Sequence, residues 1–193
     1  MIYAGIDYSI TCPSICIYDS VYPFDFEHVK FYINQYKVSL KEKKRRDTLV
    51  LKNIMLSNQE IHERNIDRFI ALAEWSISVL KNNSVENVCM EDYAFGANGK
   101  VFNIAECTGC LKYKLAKEGI KFVTFPPTEV KKYFTGKGNA DKEKMVDKFK
   151  ELYSVSINEL IGVKKDKSPV SDIVDSFAMI YTQLKKEKEN GSF

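Results

Sequence analysis

Three short apolar runs within the first 33 residues, separated only by turn-like segments, restrict the fold more than any other feature of this chain. Met1 to Ile6 runs into Asp7, Ser14 to Tyr18 resumes beyond Pro13, and Val29 to Ile33 follows, all rich in β-branched or aromatic residues. Strands joined this closely form an antiparallel ribbon. The pattern then changes. After Ile61, the residues Ile66, Phe69, Ile70, Ala73, Ile77 and Leu80 recur at helical spacing and predict one amphipathic helix ending near Asn82 and Asn83. Asn87 to Met90 reads as a short buried strand ending at Glu91. Phe102 to Glu118 reads as a second helix, with Asn103 and Glu106 spaced as a capping box and Gly119 as its stop. Lys121 to Phe125 is a fifth strand closed by Pro126 and Pro127, and Thr128 is placed to cap a short helix carrying Lys131 and Lys132. A turn at Gly136 to Gly138 precedes two further helices, Asp141 to Leu152 and Ser171 to roughly Glu187, parted by a loop ending in Ser168 and Pro169. Strands alternating with helices add parallel strands to the ribbon, so the expected class is α/β, a mixed five-stranded sheet flanked by helices. The stretch from Lys37 to Ser57, with Lys41, Lys43, Lys44, Arg45 and Arg46, has no clear period and is expected to be an exposed, mobile loop.

A chain of 193 residues, 45% hydrophobic and 28% charged, has the length of one domain and enough apolar material for a core; no internal repeat or linker divides residues 1–193. A net charge of +3 is too small to demand a polyanionic partner, so any nucleic-acid case rests on where the charge sits. No apolar run reaches the roughly 18 to 20 residues that cross a bilayer, and the N-terminus lacks a signal-peptide pattern, so no membrane partner and a cytoplasmic location are expected. The five cysteines have no regular framework, and Cys12, Cys16 and Cys89 lie in apolar stretches, which predicts free thiols in a reducing compartment. Cys107 and Cys110 form a CxxC inside a predicted helix with no second pair, and His28 and His62 are isolated, so buried packing is the better reading than zinc or redox chemistry. Gly136, Lys137 and Gly138 lack the spacing of a phosphate-binding loop, and no small-molecule cofactor is expected.

The residues that can carry chemistry are acidic. Asp7 and Glu91 each end an apolar strand, where a carboxylate is either exposed at the strand end or buried at a considerable desolvation cost. Asp172 and Asp175, three apart at the start of the last helix, share one face near its positive end. Taken singly, an Asp after a strand is usually a turn former and one at a helix start a cap. Only the combination is specific. Four carboxylates gathered at one end of a sheet repel unless cations neutralise them, and hard oxygen ligands select Mg²⁺ or Mn²⁺. Two such ions about 3.5 to 4 Å apart hydrolyse phosphodiesters by activating water and stabilising the departing oxygen.

Four pieces of the sequence stand in a telling order: Gly5, Ile6, Asp7 after an apolar strand; Met90, Glu91 followed at seven residues by Asn98 and a helix; Val130, Lys131 through Gly136 and Gly138 to Ala140, Asp141, Lys142; and Ser171 to Ala178 with Asp172 and Asp175. In that order and spacing they resemble the RuvC family of Holliday-junction resolvases, within the RNase H-like nuclease superfamily. The resemblance covers most of the chain. It implies an RNase H-like fold, Asp7, Glu91, Asp172 and Asp175 as metal ligands for two Mg²⁺ or Mn²⁺ ions, and Lys131 and Lys142, eleven apart, as active-site lysines. A lysine beside a scissile phosphate stabilises developing negative charge, as Lys142 would, while Lys131, Lys132, Lys137, Lys142 and Lys144 can grip the DNA backbone without reading bases. Without the resemblance these lysines are equally well read as a solvated helix face.

The chain departs from the family pattern in three places. Tyr8 and Ser9 stand where many members have a Pro-Gly or similar turn, bulking the floor beside the metals. The junction-wedging aromatic falls at Ala94, flanked by Tyr93 and Phe95, either of which can stack on an unpaired base. The region around Lys37 to Ser57 is longer than the family minimum. The resemblance further implies a homodimer making paired, symmetric cuts in branched DNA, with the Phe102 to Glu118 helix (Ile104, Leu111, Leu115) as the candidate contact. Two other readings stay open: an RNase H-like nuclease for other branched DNA or RNA/DNA hybrids, and a non-catalytic DNA-binding relative. Low Gly and Ala with abundant Lys, Asn, Ile and Tyr fits an AT-rich genome such as that of a phage or other virus.

Overall fold

The computed structural model describes residues 1–36, 50–51, 53–93, 101–163 and 168–191. In chain order these form β1 (Ile2–Asp7), β2 (Ser14–Asp19), a 3₁₀ turn (Phe26–His28), β3 (Val29–Gln35), β4 (Val50–Leu51), β5 (Ile54–Asn58), α1 (Asn65–Asn82) and β6 (Asn87–Glu91). There follow α2 (Val101–Lys117), β7 (Lys121–Phe125), α3 (Pro127–Thr135), α4 (Lys142–Tyr153), the single turn α5 (Ile157–Leu160) and α6 (Val170–Glu189).

The strands make one sheet in the order β4-β5-β3-β2-β1-β6-β7. β1, β2 and β3 are the antiparallel ribbon expected from their short connections. β6 then runs parallel to β1, and β7 parallel to β6. The sheet has seven strands among the described residues, not five. β5 pairs parallel to β3 and β4 antiparallel to β5 within the stretch expected to be a loop. Ile54 is buried against the core and Met55 and Leu56 are half-buried, a short continuous apolar run with no alternation of its own in a stretch that also carries many lysines. Residues 37–49, with Lys41, Lys43, Lys44, Arg45 and Arg46, lie outside the described residues.

Strand alternation divides the core between two layers. Ala4, Ile6, Ile15, Ile17, Val88 and Met90 point to one face, where α1 and α2 bring Ala73, Ile77, Leu80, Leu111 and Leu115. Tyr3, Cys16, Tyr18, Phe31, Ile33 and Cys89 point to the other, against Val130, Phe134, Phe149, Ile173, Val174, Phe177 and Ile180 of α3, α4 and α6. Odd-numbered positions of β1 and β6 therefore face α6, which puts Asp7 and Glu91 on its side of the sheet.

Three local expectations are overturned. The buried face of α1 is Phe69, Leu72, Ala73, Ser76, Ile77, Val79 and Leu80; Ile66 and Ile70 stay exposed and Ile61 precedes the helix, because the stripe that meets the sheet is rotated from the one Ile66 and Ile70 mark. Asn103 lies inside α2, which already includes Val101, so it cannot cap the helix with Glu106. Thr128 likewise falls inside α3, which starts at Pro127 behind Pro126 without a side-chain cap. By contrast, Gly119 ends α2 at positive φ, and Asp141 caps α4 by accepting from the Lys144 backbone N–H at 2.9 Å. The five cysteines are all free, and Cys107 packs fully buried against Phe69 and Leu72.

Candidate active site

The four carboxylates reach one place by two routes. Asp7 and Glu91 stand at the C-terminal ends of two adjacent parallel strands, each one residue beyond the paired Ile6 and Met90. Asp172 lies in the first turn of α6 and Asp175 one turn deeper, and α6 packs directly on β1. Gly5 sets how closely. A Cβ built there would lie 2.1 Å from the Ser176 carbonyl oxygen and 2.9 Å from Ile180 Cγ1. Only a residue without a side chain admits the helix at this depth, and that depth carries Asp172 and Asp175 to the strand ends. A buried bond of 3.0 Å between the Ser14 and Ser176 hydroxyls fastens the same crossing.

The acids perturb one another. Burial, then the Asp175, Asp172 and Glu91 charges, hold the Asp7 carboxyl well above the ordinary carboxylate range, with the Lys142 ammonium opposing. Asp175 is pushed up to about 7 by burial and by Glu91 and Asp172, against Lys142 and Lys131. Glu91 is raised by burial, while Lys131 and Lys142 pull it down. Lys142 Nζ sits 3.8 Å from Asp172 Oδ1 and 3.9 Å from Asp175 Oδ2 and donates to Ser171 Oγ at 3.3 Å. Burial works against its charge, but Asp175, Asp172, Asp7 and Glu91 outweigh burial and raise its pKa.

Among the described residues no three His, Cys, Asp or Glu side chains close around a single ion position. The donor set still fits a hard divalent cation. Four carboxylates converge where Asp7 and Asp175 hold protons far more tightly than ordinary carboxylates, and a divalent ion would compensate that excess of negative charge.

The remaining site candidates divide. Lys131, half-buried on α3, acts electrostatically on Glu91 and Asp175 and so belongs to the cluster. Lys132 and Lys137 are exposed on α3 and the turn after it, and Lys144 is exposed with its ammonium 3.1 Å from Asp141. Tyr93 is half-buried beneath Lys112, whose Nζ lies 4.3 Å from the ring centre. Phe95, Ala94 and Asn98 lie outside the described residues. Asp7, Tyr8, Glu91 and Tyr93 share a cleft of about 380 Å³ with Ile10 and with Asn103, Ile104 and Thr108 of α2, so the tyrosine in place of the family's turn does form part of the floor. Ser168, whose hydroxyl donates to Asp172 Oδ2, and Ser14 are site neighbours that sequence reasoning did not single out. Neither lies in a pattern that marks it; Ser14 opens a strand and Ser168 ends a loop.

Comparison with known proteins decides the family. A family model described as crossover junction endodeoxyribonuclease RuvC matches residues 35–182. The chain belongs to the RuvC family. RuvC proteins of Sulfurovum sp. and Wolinella succinogenes are each 31% identical to it, over 123 and 134 residues, covering 63% and 68% of this chain and 72% and 77% of theirs. The structure of Thermus thermophilus RuvC in complex with a Holliday junction substrate superposes with a TM-score of 0.63 at 18% identity, covering 98% of this chain and 96% of the other. The RuvC model match contains Glu91, Asp172, Asp175, Lys131 and Lys142 but begins after Asp7, whose place in the cluster rests on β1 pairing with β6. The RNase H-like fold is thus shared across a low-identity likeness.

Proposed function

We propose that this RuvC-family chain is a crossover junction endodeoxyribonuclease that resolves four-way DNA junctions by phosphodiester hydrolysis at Asp7, Glu91, Asp172 and Asp175. The observation that carries the site assignment is the convergence of four carboxylates, from three separate segments of the sequence, on one end of the sheet beside Lys142. Mg²⁺ or Mn²⁺ held there would supply Lewis-acid activation of water and of the departing oxygen. The chain's own residues do the rest. The carboxylates hold the ligand positions, Lys142 and Lys131 place positive charge where a phosphate gains negative charge, and Lys132, Lys137 and Lys144 offer exposed ammonium groups to the backbone. Tyr93 forms the rim on which an unpaired base can stack.

Paired symmetric cuts need two sites, and a homodimer supplies them. Leu111 and Leu115 are fully buried in the monomer core and are not available for that contact. The outer face of α2, with Phe102 78% and Tyr113 65% exposed beside Gly109, together with Ile66 and Ile70 of α1, is the apolar surface that supports dimerisation. No helix among the described residues is long and apolar enough to cross a membrane.

The test is incubation with a labelled synthetic four-way junction, with and without Mg²⁺ or Mn²⁺, every strand resolved on a denaturing gel. Metal-dependent nicks at symmetric positions in two opposing strands are expected. An intact junction alongside cleaved RNA/DNA hybrid would move the assignment to another substrate.

A further inference from the structure

Asp172 presents its two oxygens to different partners. Oδ1 faces the cluster, 3.8 Å from Lys142 Nζ, whereas Oδ2 accepts the hydroxyl of Ser168, four residues earlier and ahead of α6. Asp172 is only 4% exposed, so little solvent remains to hold its carboxylate's orientation. The buried Cys12 thiol lies against both Ser168 and Asp172, and its backbone N–H is fixed by Ser9 Oγ at 3.0 Å. Meanwhile the Lys142 ammonium, beyond hydrogen-bond distance of both neighbouring aspartates, is bonded to Ser171 Oγ at 3.3 Å.

An aspartate left free beside an ammonium would swing to close the ion pair, and the oxygen turned toward Lys142 would then be lost to any other cation. A hydroxyl on the outer oxygen prevents that rotation while leaving Oδ1 its full acceptor capacity. We propose that Ser168 is a positioning residue that locks the Asp172 carboxylate with Oδ1 presented to the divalent ion. The inference rests on the assignment of Asp172 as a metal ligand. It distinguishes Ser168 from Ser171, which restrains the lysine rather than the acid.

The alternative role for Ser168 is to stabilise the start of α6. The two roles separate in Mn²⁺ binding by the intact protein, followed by paramagnetic resonance of the free ion, together with the melting temperature of the metal-free protein. Ser168 is exposed, so Ser168→Ala opens no core cavity and removes only the hydroxyl's contacts with Asp172 and the Cys12 thiol. Its Mn²⁺ affinity should fall by about 10- to 100-fold, the usual effect of losing such a partner. Ser168→Thr, which keeps the hydroxyl, should restore most of it. A lower melting temperature in Ser168→Ala with unchanged Mn²⁺ affinity would give Ser168 to the helix start and overturn the inference. Wild-type protein that binds no Mn²⁺ would instead remove the metal site itself, and the inference with it.

Discussion

The strand-borne acids and the helix-borne acids occupy one site but are held in different ways. Asp7 and Glu91 are fixed by the pleat of two neighbouring parallel strands, and their side-chain positions follow from strand register alone. Asp172 and Asp175 are fixed by where α6 lies, and that depends on Gly5 and the Ser14–Ser176 bond. The strand pair gives rigidity, with the lysines reaching it only electrostatically. The helix pair arrives with Lys142, Ser168 and Ser171 around it. A site built this way can lose its chemistry through one pair and its geometry through the other.

The sharpest separation comes from Asp7→Asn, which keeps shape and removes one central charge. Junction cleavage should fall by about 10³-fold with binding of uncut junction retained, as read by gel shift and by single-turnover kinetics. Unchanged cleavage would remove Asp7 from the reaction. Gly5→Ala attacks the other arm without touching an ionisable group. Because the new methyl meets a backbone oxygen, urea denaturation should show a loss of about 3 kcal/mol, and activity should fall with it. Wild-type stability in that variant would show that the depth of α6 is not set by Gly5. Lys142→Gln should lower the cleavage rate by about 10- to 100-fold at saturating metal, with a much smaller change in junction affinity; a loss confined to affinity would make Lys142 a backbone grip only.

The smallest effect is a pH dependence of stability. Asp175 carries a folded-state pKa of about 7, above its unfolded value, so the metal-free folded state holds the proton more tightly than the unfolded chain. Its contribution is fully present below the ordinary aspartate range and is lost as pH rises through about 7. The melting temperature of metal-free protein should therefore decline by a few degrees between about pH 5 and pH 8, a trend that Mg²⁺ or Asp175→Asn should flatten. A decline of the same size in Asp175→Asn would place its origin at other groups.

Much of this division was readable in the sequence because strand and helix periodicities are local properties. Ala4 and Ile6 fall on the face opposite Asp7 by strand alternation, and Asp172 and Asp175 are three apart whatever surrounds them. The convergence of the four acids became legible through the family pattern, since no local signal says which strand lies beside β1. What stayed hidden depends on contacts distant in sequence. Strand β5 has a three-residue apolar run with no alternation and follows a lysine-rich stretch, yet β3 offers it a parallel edge. Asn103 has the spacing of a cap, but the helix had already begun. Ile66 and Ile70 fit the apolar stripe and remain in water, since the sheet meets a neighbouring face of α1. Leu111 and Leu115 were equally suited to core or to interface by spacing, and the core has them.

The contact at Gly5 also has a genetic reading. The first atom that an added methyl would strike is the Ser176 carbonyl oxygen, which every amino acid at position 176 carries; Ile180 Cγ1 comes second. Trimming the Ile180 side chain therefore cannot relieve the collision. In a selection for revertants of a Gly5→Ala strain, same-site restoration should dominate, and intragenic suppressors should have to move the path of the α6 backbone rather than change a neighbouring side chain.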